Sequence, residues 1–362
     1  EMVESCQIKF IGPRSETIRQ IGDKVTARTI AQKAGVPVVE GSEGVIDSIK
    51  EAVKIAKRIG YPVMIKASSG GGGKGISIVY NNDELEQSFE KTQLEAMSSF
   101  GDKSLYIEKY IESPKHIEIQ ILADTFGNVV HLFERDCSVQ RRNQKMIEEA
   151  PSPVLNATLR RKIGQSAVKL AKSIKYEGAG TMEFLVDSKG DYYFIEMNTR
   201  IQVEHPVTEM ITGIDLLKEQ ISIAYGKPIS FKQQNIKILG HSIECRINAE
   251  DPLKGFIPTP GKITNIIFPG GNGVRIDTHI YPGYIVPIYY DSMLAKLIVI
   301  AKTRKEAIKK MRVALEGFMI EGIETNIEYQ YMIMHEMEFI KGTYDTSFIN
   351  RFNKRLEERN RE

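Results

Sequence analysis

Polar side chains alternate along the segment 196–208, which reads EMNTRIQVEHPVT. Five of them stand at every second position: Glu196, Asn198, Arg200, Gln202 and Glu204. An extended chain would place all five on one face, because the side chains of a β-strand alternate between its two sides. Carboxylate, amide and guanidinium groups on one face indicate binding of a charged ligand. An exposed edge strand with paired charges would carry the same residue types, so the pattern by itself leaves both interpretations open.

The residues around this segment predict a β-hairpin over 181–197 with a two-residue loop at Lys189-Gly190. This loop would pair Glu183 with Glu196, with about 5 Å between the two side chains. Two ionised carboxylates at that distance repel each other, and a bound cation removes the repulsion. With the amide oxygen of Asn198 they form a set of hard oxygen ligands, which suits Mg²⁺ held together with substrate phosphates. The trio contains no His or Cys, which argues against zinc.

A second motif indicates a phosphate site. A short apolar strand ends at Lys66 and is followed by SSGGGGKG, residues 68–75. Consecutive glycines let backbone N–H groups close around a phosphate, and we expect Gly71, Gly72 and Gly73 to do so. The dinucleotide fingerprint fails because a strand follows instead of a helix, and the Walker A motif fails because glycine replaces its final Ser or Thr. The motif predicts a mobile glycine flap between two strands, with a flexible surface loop as the alternative.

Composition places the chain among ordinary globular proteins. Its 362 residues suggest two or three domains, and 41% of the residues are hydrophobic while 27% are charged. A net charge of +2 is too small to indicate nucleic acid binding, and no apolar run has the length of a membrane span. Three widely spaced cysteines are typical of reduced thiols, so we expect a cytoplasmic protein.

Helices and strands occur in mixed order with many hairpins, which predicts an α+β fold with a small flap-bearing lobe on a larger antiparallel lobe. Helical patterns cover 24–34, 47–59, 83–100, 157–174, 216–225 and 304–316, with Asn82 as the predicted N-cap of the third. Strand patterns cover 105–111, 115–124, 129–135, 241–248, 261–268 and 293–301. In the second of these strands, His116, Glu118 and Gln120 alternate with isoleucines.

Longer blocks resemble the signature sequences of biotin carboxylase, the ATP-grasp component of acetyl-CoA carboxylase and related biotin-dependent carboxylases. These blocks are the Lys66 strand with its glycine flap, EKY at 108–110, ERDCSVQRRNQK at 134–145, GTMEF at 180–184, FIEMNTRIQVEHPVTEM at 194–210, ECRINAE at 244–250 and YYDSM at 289–293. The resemblance covers essentially the whole chain. Other ATP-grasp ligases, such as carbamoyl phosphate synthetases, share the flap and the Glu/Glu/Asn trio but not the block 200–204 with Arg246. A non-catalytic nucleotide-binding module is a further alternative.

The resemblance implies a domain order. Residues 1–11 would be the remnant of an N-terminal nucleotide-fold-like domain, 12–38 a helical linker, 39–110 the ATP-grasp lid and 111–362 the C-terminal catalytic domain. The family's N-terminal domain carries part of its biotin pocket. We therefore expect the chain to hold only the last few residues of that domain.

The resemblance also implies that the chain binds ATP with Mg²⁺ or Mn²⁺ and phosphorylates bicarbonate to carboxyphosphate, whose CO₂ passes to biotin. Glu183, Glu196 and Asn198 would hold the metal. The residues that would bind ATP are Lys24, Lys66 and the flap glycines for the phosphates, Glu108, Lys109, Ile111, Leu185 and Ile195 for the adenine, and His116, Gln140 and Asn143 for the ribose.

Bicarbonate and biotin would occupy a pocket beside the metal. The resemblance assigns bicarbonate to Arg200, Gln202, the Val203 amide and Glu204. Glu204, poised by Arg200, would deprotonate bicarbonate, Arg246 would bind the ureido oxygen of biotin, and Lys145 would contact phosphate or bicarbonate. Fully extended, the segment 196–204 would span roughly 26 Å, too far for one small substrate, so we expect the chain to bend after Asn198.

Partners follow from the same resemblance. A biotin carboxyl carrier protein would be a separate chain, because no Met-Lys-Met biotinylation site occurs. A carboxyltransferase would receive the carboxyl group, with acetyl-CoA in fatty-acid synthesis as the expected acceptor and pyruvate or another acyl-CoA as the alternative. The chain would form a homodimer and bind neither nucleic acid nor a membrane.

Overall fold

An eight-stranded antiparallel sheet and a separate three-stranded antiparallel sheet organise the chain. The structure, a computed structural model, describes residues 1–46, 48–69 and 75–359. Within these segments, no helix combines the length and the apolar character needed to cross a lipid bilayer. The mixture of helices with antiparallel sheets confirms the predicted α+β class.

The helices of the described segments are α1 (Met2–Ser5), α2 (Ser15–Gly22), α3 (Lys24–Lys33), α4 (Ile49–Ile59), α5 (Asn82–Phe100), α6 (Ala157–Ser173), α7 (His205–Thr212), α8 (Leu216–Ala224), α9 (Arg304–Glu316), α10 (Ile327–Ile333), α11 (Met337–Lys341) and α12 (Phe348–Arg359). The strands are β1 (Val63–Ala67), β2 (Ile76–Val79), β3 (Leu105–Lys109), β4 (Lys115–Ala123), β5 (Val129–Arg141), β6 (Gln144–Ala150), β7 (Gly178–Val186), β8 (Tyr192–Asn198), β9 (His241–Asn248), β10 (Glu250–Asp251), β11 (Ile257–Pro258), β12 (Gly261–Lys262), β13 (Asn265–Ile267), β14 (Val274–Thr278), β15 (Ile285–Val286), β16 (Met293–Ala301) and β17 (Met319–Glu321).

The large sheet has the strand order β14-β16-β9-β6-β5-β4-β7-β8. Its apolar face carries the isoleucines of β4 and β9 and packs against helices that include α3, α6 and α9. Because side chains alternate along a strand, the residues between those isoleucines lie on the opposite face. They are polar: His116, Glu118 and Gln120 in β4, and Glu244 and Arg246 in β9. The sheet therefore has one face that forms a core and one polar face, against which α7 packs.

The three-stranded sheet, in the order β2-β1-β3, packs with α4 and α5 around a core of its own. Leu85 and Phe89 of α5 are buried in this core, as the helical pattern of the sequence predicted. β1 pairs with β2 from Val63 to Lys66, which confirms two strands on either side of the glycine run. The flap glycines Gly71, Gly72 and Gly73 lie outside the described residues, so their phosphate contacts stay a prediction.

The strands differ from the prediction in three places. β5 continues to Arg141 instead of ending near 135, and β6 was not predicted. Both strands carry buried polar side chains, which hides the apolar alternation by which strands are recognised. A two-residue turn at Arg142 and Asn143 joins them, and both residues have a positive φ, of 50° and 63°. The predicted strand 261–268 is divided into β12 and β13, which pair with different strands.

The β7–β8 hairpin pairs Glu183 with Glu196 as predicted, although its loop differs from the predicted one. The N–H of Asp187 donates to the carbonyl of Asp191 at 2.9 Å, which makes a three-residue loop instead of a two-residue loop. A β-bulge, with Ile195 as the extra residue, then shifts the register by one position. The longer loop and the bulge compensate each other, so the two glutamates still lie opposite one another.

The N-cap of helix α5 also differs from the predicted one. It is Asn81 instead of Asn82, since the side-chain oxygen of Asn81 accepts from the N–H groups of Asp83 and Glu84 at 3.0 and 3.1 Å. Asn81→Ala should lower the free energy of unfolding by about 1 kcal/mol. Asn82→Ala, at an exposed helical position, should change it by less than about 0.5 kcal/mol. Urea denaturation of both variants makes the comparison, and equal effects would contradict the assignment.

Candidate active site

A cleft of about 1150 Å³ lies between the three-stranded sheet and the polar face of the large sheet. Every predicted site residue within the described segments lines it: Lys24, Lys66, Glu108, Lys109, Ile111, His116, Gln140, Asn143, Lys145, Glu183, Leu185, Ile195, Glu196, Asn198, Arg200, Gln202, Val203, Glu204 and Arg246. The space is sufficient for a nucleotide together with a second small substrate.

The bulge in β8 turns two successive side chains toward this cleft. Phe194 and Met197 belong to the buried core, whereas Ile195, Glu196 and Asn198 line the cleft. In a regular strand Glu196 would share the core side with Phe194, because side chains alternate. The extra residue thus allows Ile195 to offer an apolar contact and Glu196 a carboxylate on the same side.

The chain bends after Asn198, as expected. β8 ends there, and Glu204 is the N-cap residue of α7, a helix that the sequence analysis did not predict. In the connecting segment, the amide of Gln202 donates to Glu183 at 3.1 Å. The carbonyl of Val203 accepts from Lys296 at 3.1 Å. This segment therefore lies beside the predicted metal ligands instead of extending away from them.

The ammonium group of Lys145 lies at the centre of the polar face. Its Nζ donates to Glu118 at 2.6 Å, to Glu183 at 2.9 Å and to Glu204 at 2.7 Å. These carboxylates come from β4, β7 and the N-cap of α7, and all three are buried. A buried carboxylate without a partner costs several kcal/mol, and Lys145 supplies one positive charge that all three carboxylates share.

These contacts determine the protonation states. Burial raises the pKa of Glu183, but the charge of Lys145 and the hydrogen bonds from Lys145 and His116 outweigh burial and hold that pKa well below its ordinary value. The pKa of Glu204 is also lowered, because Lys145 and Arg246 outweigh the effect of burial. Burial lowers the pKa of Lys145, while the nearby carboxylates raise it well above its ordinary value. At neutral pH the site therefore holds an ammonium ion between ionised Glu183 and Glu204.

The guanidinium of Arg246 bridges two carboxylates. Its Nε donates to Glu148 at 2.7 Å and its Nη2 donates to Glu204 at 2.9 Å. The expectation that Arg200 poises Glu204 is wrong, because Arg200 is exposed and its described hydrogen bonds stay within its own segment. Lys145 and Arg246 hold Glu204 instead, since their strands face α7 while Arg200 lies at the bend.

Arg135 is a fully buried residue behind the cleft wall that the sequence analysis did not select. Its guanidinium donates to Glu118, Gln120, Thr181, Gln202 and Thr208. It thereby connects Gln202 of the bend segment to Glu118, one of the carboxylates that contact Lys145. The alternation of His116, Glu118 and Gln120 with isoleucines was the available signal, because a fully buried polar row needs a charged partner.

The opposite end of the cleft carries the predicted adenine and ribose contacts. Lys66 and Glu108 form an ion pair between β1 and β3, so the Glu108 carboxylate already has a cationic partner. The N–H of Lys109 donates to the carbonyl of Glu40 at 2.7 Å, so this amide is already engaged and is not available to a ring edge. Leu185 and Ile195 both line the cleft, and their apolar side chains would contact an aromatic ring bound there.

His116 connects this end to the carboxylates. Its Nε2 is 2.8 Å from Glu183, and its Nδ1 is 2.6 Å from the amide nitrogen of Gln140. Because an amide nitrogen donates, Nδ1 accepts and Nε2 carries the proton toward Glu183. The predicted ribose residues His116 and Gln140 thus also orient a predicted metal ligand. Asn143 lines the cleft from the β5–β6 turn.

The predicted metal ligands fit a hard cation. Glu183 and Glu196 lie opposite each other on adjacent strands, and Asn198 follows on the same side. Glu196 is only 3.5 Å from the Nζ of Lys24, a further sign that its carboxylate faces positive charge. Two carboxylates and one amide oxygen suit Mg²⁺ or Mn²⁺ better than zinc.

Replacement of Lys145 should expose the cost of the buried carboxylates. Lys145→Met should lower the free energy of unfolding by about 3–5 kcal/mol at neutral pH. The folded-state pKa values of Glu183 and Glu204 are lowered, so the stability they contribute is present above their unfolded pKa of about 4.3 and is lost at lower pH. The difference between the unaltered protein and the variant should therefore shrink as the pH falls below about 4.3.

Urea denaturation across this pH range measures the effect. Lys162→Met removes an exposed lysine from α6 and should change the free energy of unfolding by less than about 0.5 kcal/mol. A loss in Lys145→Met that does not depend on pH would contradict the role assigned to its charge.

Two family sequence models match the chain. The model described as carbamoyl-phosphate synthase L chain, ATP binding domain, matches residues 23–232. The model described as biotin carboxylase C-terminal domain matches residues 244–351. The first covers the features that ATP-grasp ligases share, and the second covers the block around Arg246 that the sequence analysis used to separate biotin carboxylase from carbamoyl phosphate synthetases.

Relatives agree with the second match. A biotin carboxylase of Nostoc sp. is 55% identical over 354 residues, which cover 98% of this chain and 79% of the relative. A pyruvate carboxylase subunit of Methanothermobacter thermautotrophicus is 52% identical over 357 residues, covering 98% of this chain and 72% of the relative. The biotin carboxylase domain dimer of Hydrogenobacter thermophilus 2-oxoglutarate carboxylase, solved with MgADP, ADP and bicarbonate, has a TM-score of 0.94 and 51% identity, covering 97% of this chain and 77% of that one.

These matches confirm the predicted ATP-grasp fold, the ligase class and the cofactors ATP and Mg²⁺. The chain belongs to the biotin carboxylase family of ATP-grasp ligases.

Proposed function

We propose that the chain carboxylates biotin with ATP and bicarbonate, by way of carboxyphosphate. The observation that carries this proposal is the position of Glu204, a buried ionised carboxylate held between Lys145 and Arg246 beside the Glu183–Glu196 pair. A base held in this way next to a nucleotide cleft suits a reaction that deprotonates a small anion near the γ-phosphate of ATP.

Glu183, Glu196 and Asn198 would hold Mg²⁺ together with the ATP phosphates. When bound, the ion supplies positive charge that compensates the triphosphate. Lys24 adds charge from α3, close to Glu196. Burial lowers the pKa of Lys66, but Glu108 outweighs burial and raises it, so Lys66 stays an ammonium ion that phosphate oxygens would attract.

Glu204 would act as the base that takes the proton of bicarbonate. In the substrate-free arrangement its pKa is lowered, which makes it a weak base. Bicarbonate that accepts hydrogen bonds from Lys145 and Arg246 would share the cations that lower this pKa. The pKa of Glu204 would then rise, because part of the charge that stabilises its ionised form is directed to the substrate. Gln202, the Val203 amide and Arg200 would complete the bicarbonate site.

Arg246 would stabilise the biotin enolate. Its guanidinium is directed into the cleft by Glu148 on one side and by Glu204 on the other. A planar fork of N–H donors fits the ureido oxygen as negative charge develops on it, which is an oxyanion-type role. This role places biotin beside the bicarbonate pocket, so the CO₂ released from carboxyphosphate has a short path to the enolate.

The proposed domain order includes a lobe that would close over ATP during the reaction. Residues 39–110, the lobe with the three-stranded sheet, would close over ATP as a lid, and residues 111–362 would hold the catalytic groups. Residues 12–38 would connect them with the helices α2 and α3. Residues 1–11 would belong to the N-terminal domain of the family.

The proposed partners are a biotin carboxyl carrier protein, a carboxyltransferase and a second copy of this chain. The dimeric biotin carboxylase domain of H. thermophilus supports the last of these. We propose a cytoplasmic location, because Cys137 and Cys245 are buried free thiols in strands. Acetyl-CoA is the proposed final acceptor, and the relative from M. thermautotrophicus, which belongs to a pyruvate carboxylase, supports pyruvate as the alternative.

Glu196→Gln tests the metal site. The substitution removes one charge from the Glu183–Glu196 pair, so it should leave the fold intact while ATP cleavage falls by roughly tenfold to a hundredfold. Bicarbonate-dependent release of phosphate over a range of Mg²⁺ concentrations measures the effect. Full activity at the same Mg²⁺ requirement would refute the assignment.

Arg246→Lys tests the enolate role. The variant keeps the positive charge but loses the planar fork, so turnover with free biotin should fall much more than the affinity for ATP. Steady-state assays give the turnover and calorimetry gives the ATP affinity. The role would be refuted if biotin-dependent turnover equalled that of the unaltered protein.

A further inference from the structure

A second carboxylate pair lies behind Arg246, and none of the predicted roles uses it. Glu148 of β6 and Glu244 of β9 are directly opposite in the register of these neighbouring strands. Both side chains have no exposed surface. Cross-strand partners place their side chains at about 5 Å, so two carboxyl groups meet in the interior of the polar face.

The hydrogen bonds of this pair are incomplete. Glu148 accepts from Arg246 through Oε1 alone. Its Oε2 and both carboxyl oxygens of Glu244 have no hydrogen-bond donor within the described part of the chain. Each buried acceptor without a donor lowers the free energy of unfolding by about 1–3 kcal/mol. Three such acceptors would therefore be costly if both carboxyl groups were ionised.

Lys296 and Arg246 are the cations nearest in effect to Glu244, but within the described residues neither donates a hydrogen bond to its carboxyl group. Its partner on β16 is Ile298, and the covering helix α7 presents buried Val207 and Ile211 to the small apolar cluster there. Lys296, also on β16, is bound to Asp277 at 3.2 Å and to the carbonyl of Val203. The remaining charges that act on the pair from the described residues are Arg246, already bonded to Glu148, Lys145, already bonded to three other carboxylates, and ionised Glu204 at the start of α7.

We propose that Glu148 and Glu244 share one proton and that this pair positions Arg246 for its part in the proposed carboxylation. Glu244 carries the proton and donates it to Oε2 of Glu148. The Oε1 of Glu148 then keeps one negative charge for the Nε of Arg246. Both glutamates are positioning residues, since they act on the reaction through Arg246.

The electrostatics of the pair agree with this geometry. Burial raises the pKa of Glu244 well above its ordinary value, and the charge of Glu148 raises it further. Burial raises the pKa of Glu148 to about 7, although Arg246 lowers it. Two facing carboxyl groups of this kind titrate as a unit and hold one proton between them near neutral pH.

The shared proton has two consequences for Arg246. The bond between the carboxyl groups fixes Glu148, so the guanidinium plane is held with Nη2 toward Glu204 and the cleft. It also leaves one negative charge behind the guanidinium instead of two. A second negative charge on the Glu148–Glu244 pair would offset the positive charge of the guanidinium and weaken its attraction for an anion in the cleft. The proposal therefore predicts that the two glutamates are not equivalent.

Matched carboxyl-to-amide substitutions test this difference. Glu244→Gln replaces a neutral donor with another neutral donor, whereas Glu148→Gln removes the anion that holds Arg246. We expect Glu148→Gln to lower kcat/KM for biotin roughly tenfold to a hundredfold more than Glu244→Gln does. Glu244→Leu, which cannot donate, should fall between them. The ATP affinity, measured by calorimetry, should be the same in all three. Equal losses in kcat/KM for Glu244→Gln and Glu148→Gln would overturn the proposal.

Infrared spectroscopy tests the proton without reference to activity. At pH 7 the unaltered protein should show the carbonyl stretch of a protonated carboxylic acid that disappears in Glu244→Gln and persists in Glu321→Gln, which changes an exposed glutamate of β17. No change of this band in Glu244→Gln would overturn the shared proton. If the unaltered protein cleaved no ATP with bicarbonate and biotin, the proposed function would fail, while the infrared result would still decide the state of the pair.

Discussion

The ammonium group of Lys145 donates hydrogen bonds to three buried carboxylates that come from three separate elements. A lone charge in the interior costs several kcal/mol, so the shared ammonium offsets part of the cost of bringing the carboxylates of β4, β7 and α7 together. The same ammonium keeps Glu183 and Glu204 ionised. One set of contacts therefore determines both the stability of the polar face and the reactivity of its carboxylates.

The charged groups form rows because the strands of the large sheet pair in register. Arg135, Glu118, Glu183 and Glu196 lie opposite one another across β5, β4, β7 and β8. Antiparallel pairing brings facing side chains to about 5 Å, so each strand presents its charge to the next. The bulge at Ile195 is the local adjustment that turns the last of these carboxylates toward the cleft. Without it, the alternation of β8 would direct Glu196 to the core side.

Sequence reasoning recognised the side chains that line the cleft better than the buried residues that hold them in place. Glu183, Glu196 and Asn198 were recognisable because hairpin pairing is local and can be counted from the turn. Counting from the predicted turn placed Glu196 correctly opposite Glu183, although the predicted loop was one residue shorter than the observed loop. Arg135 was missed because its partners lie up to 73 positions away, and the buried strand β6 was missed because its polar residues conceal the alternation. Asn81 replaced Asn82 as the N-cap for a similar reason, since only the backbone conformation decides which of two adjacent asparagines can accept the N–H groups.

By itself the sequence determined the residue types, the α+β class, the family and many of the side chains that line the cleft. These depend on local patterns, on turn chemistry and on long signature blocks, all of which are visible along the chain. Only the tertiary structure decided the charge partners: Arg246 with Glu148, 98 positions apart, Lys145 with Glu204 and Glu148 opposite Glu244. Such pairs depend on which strands become neighbours in the sheet. Strand order is set by non-local packing of the whole apolar face, which no short segment of sequence encodes.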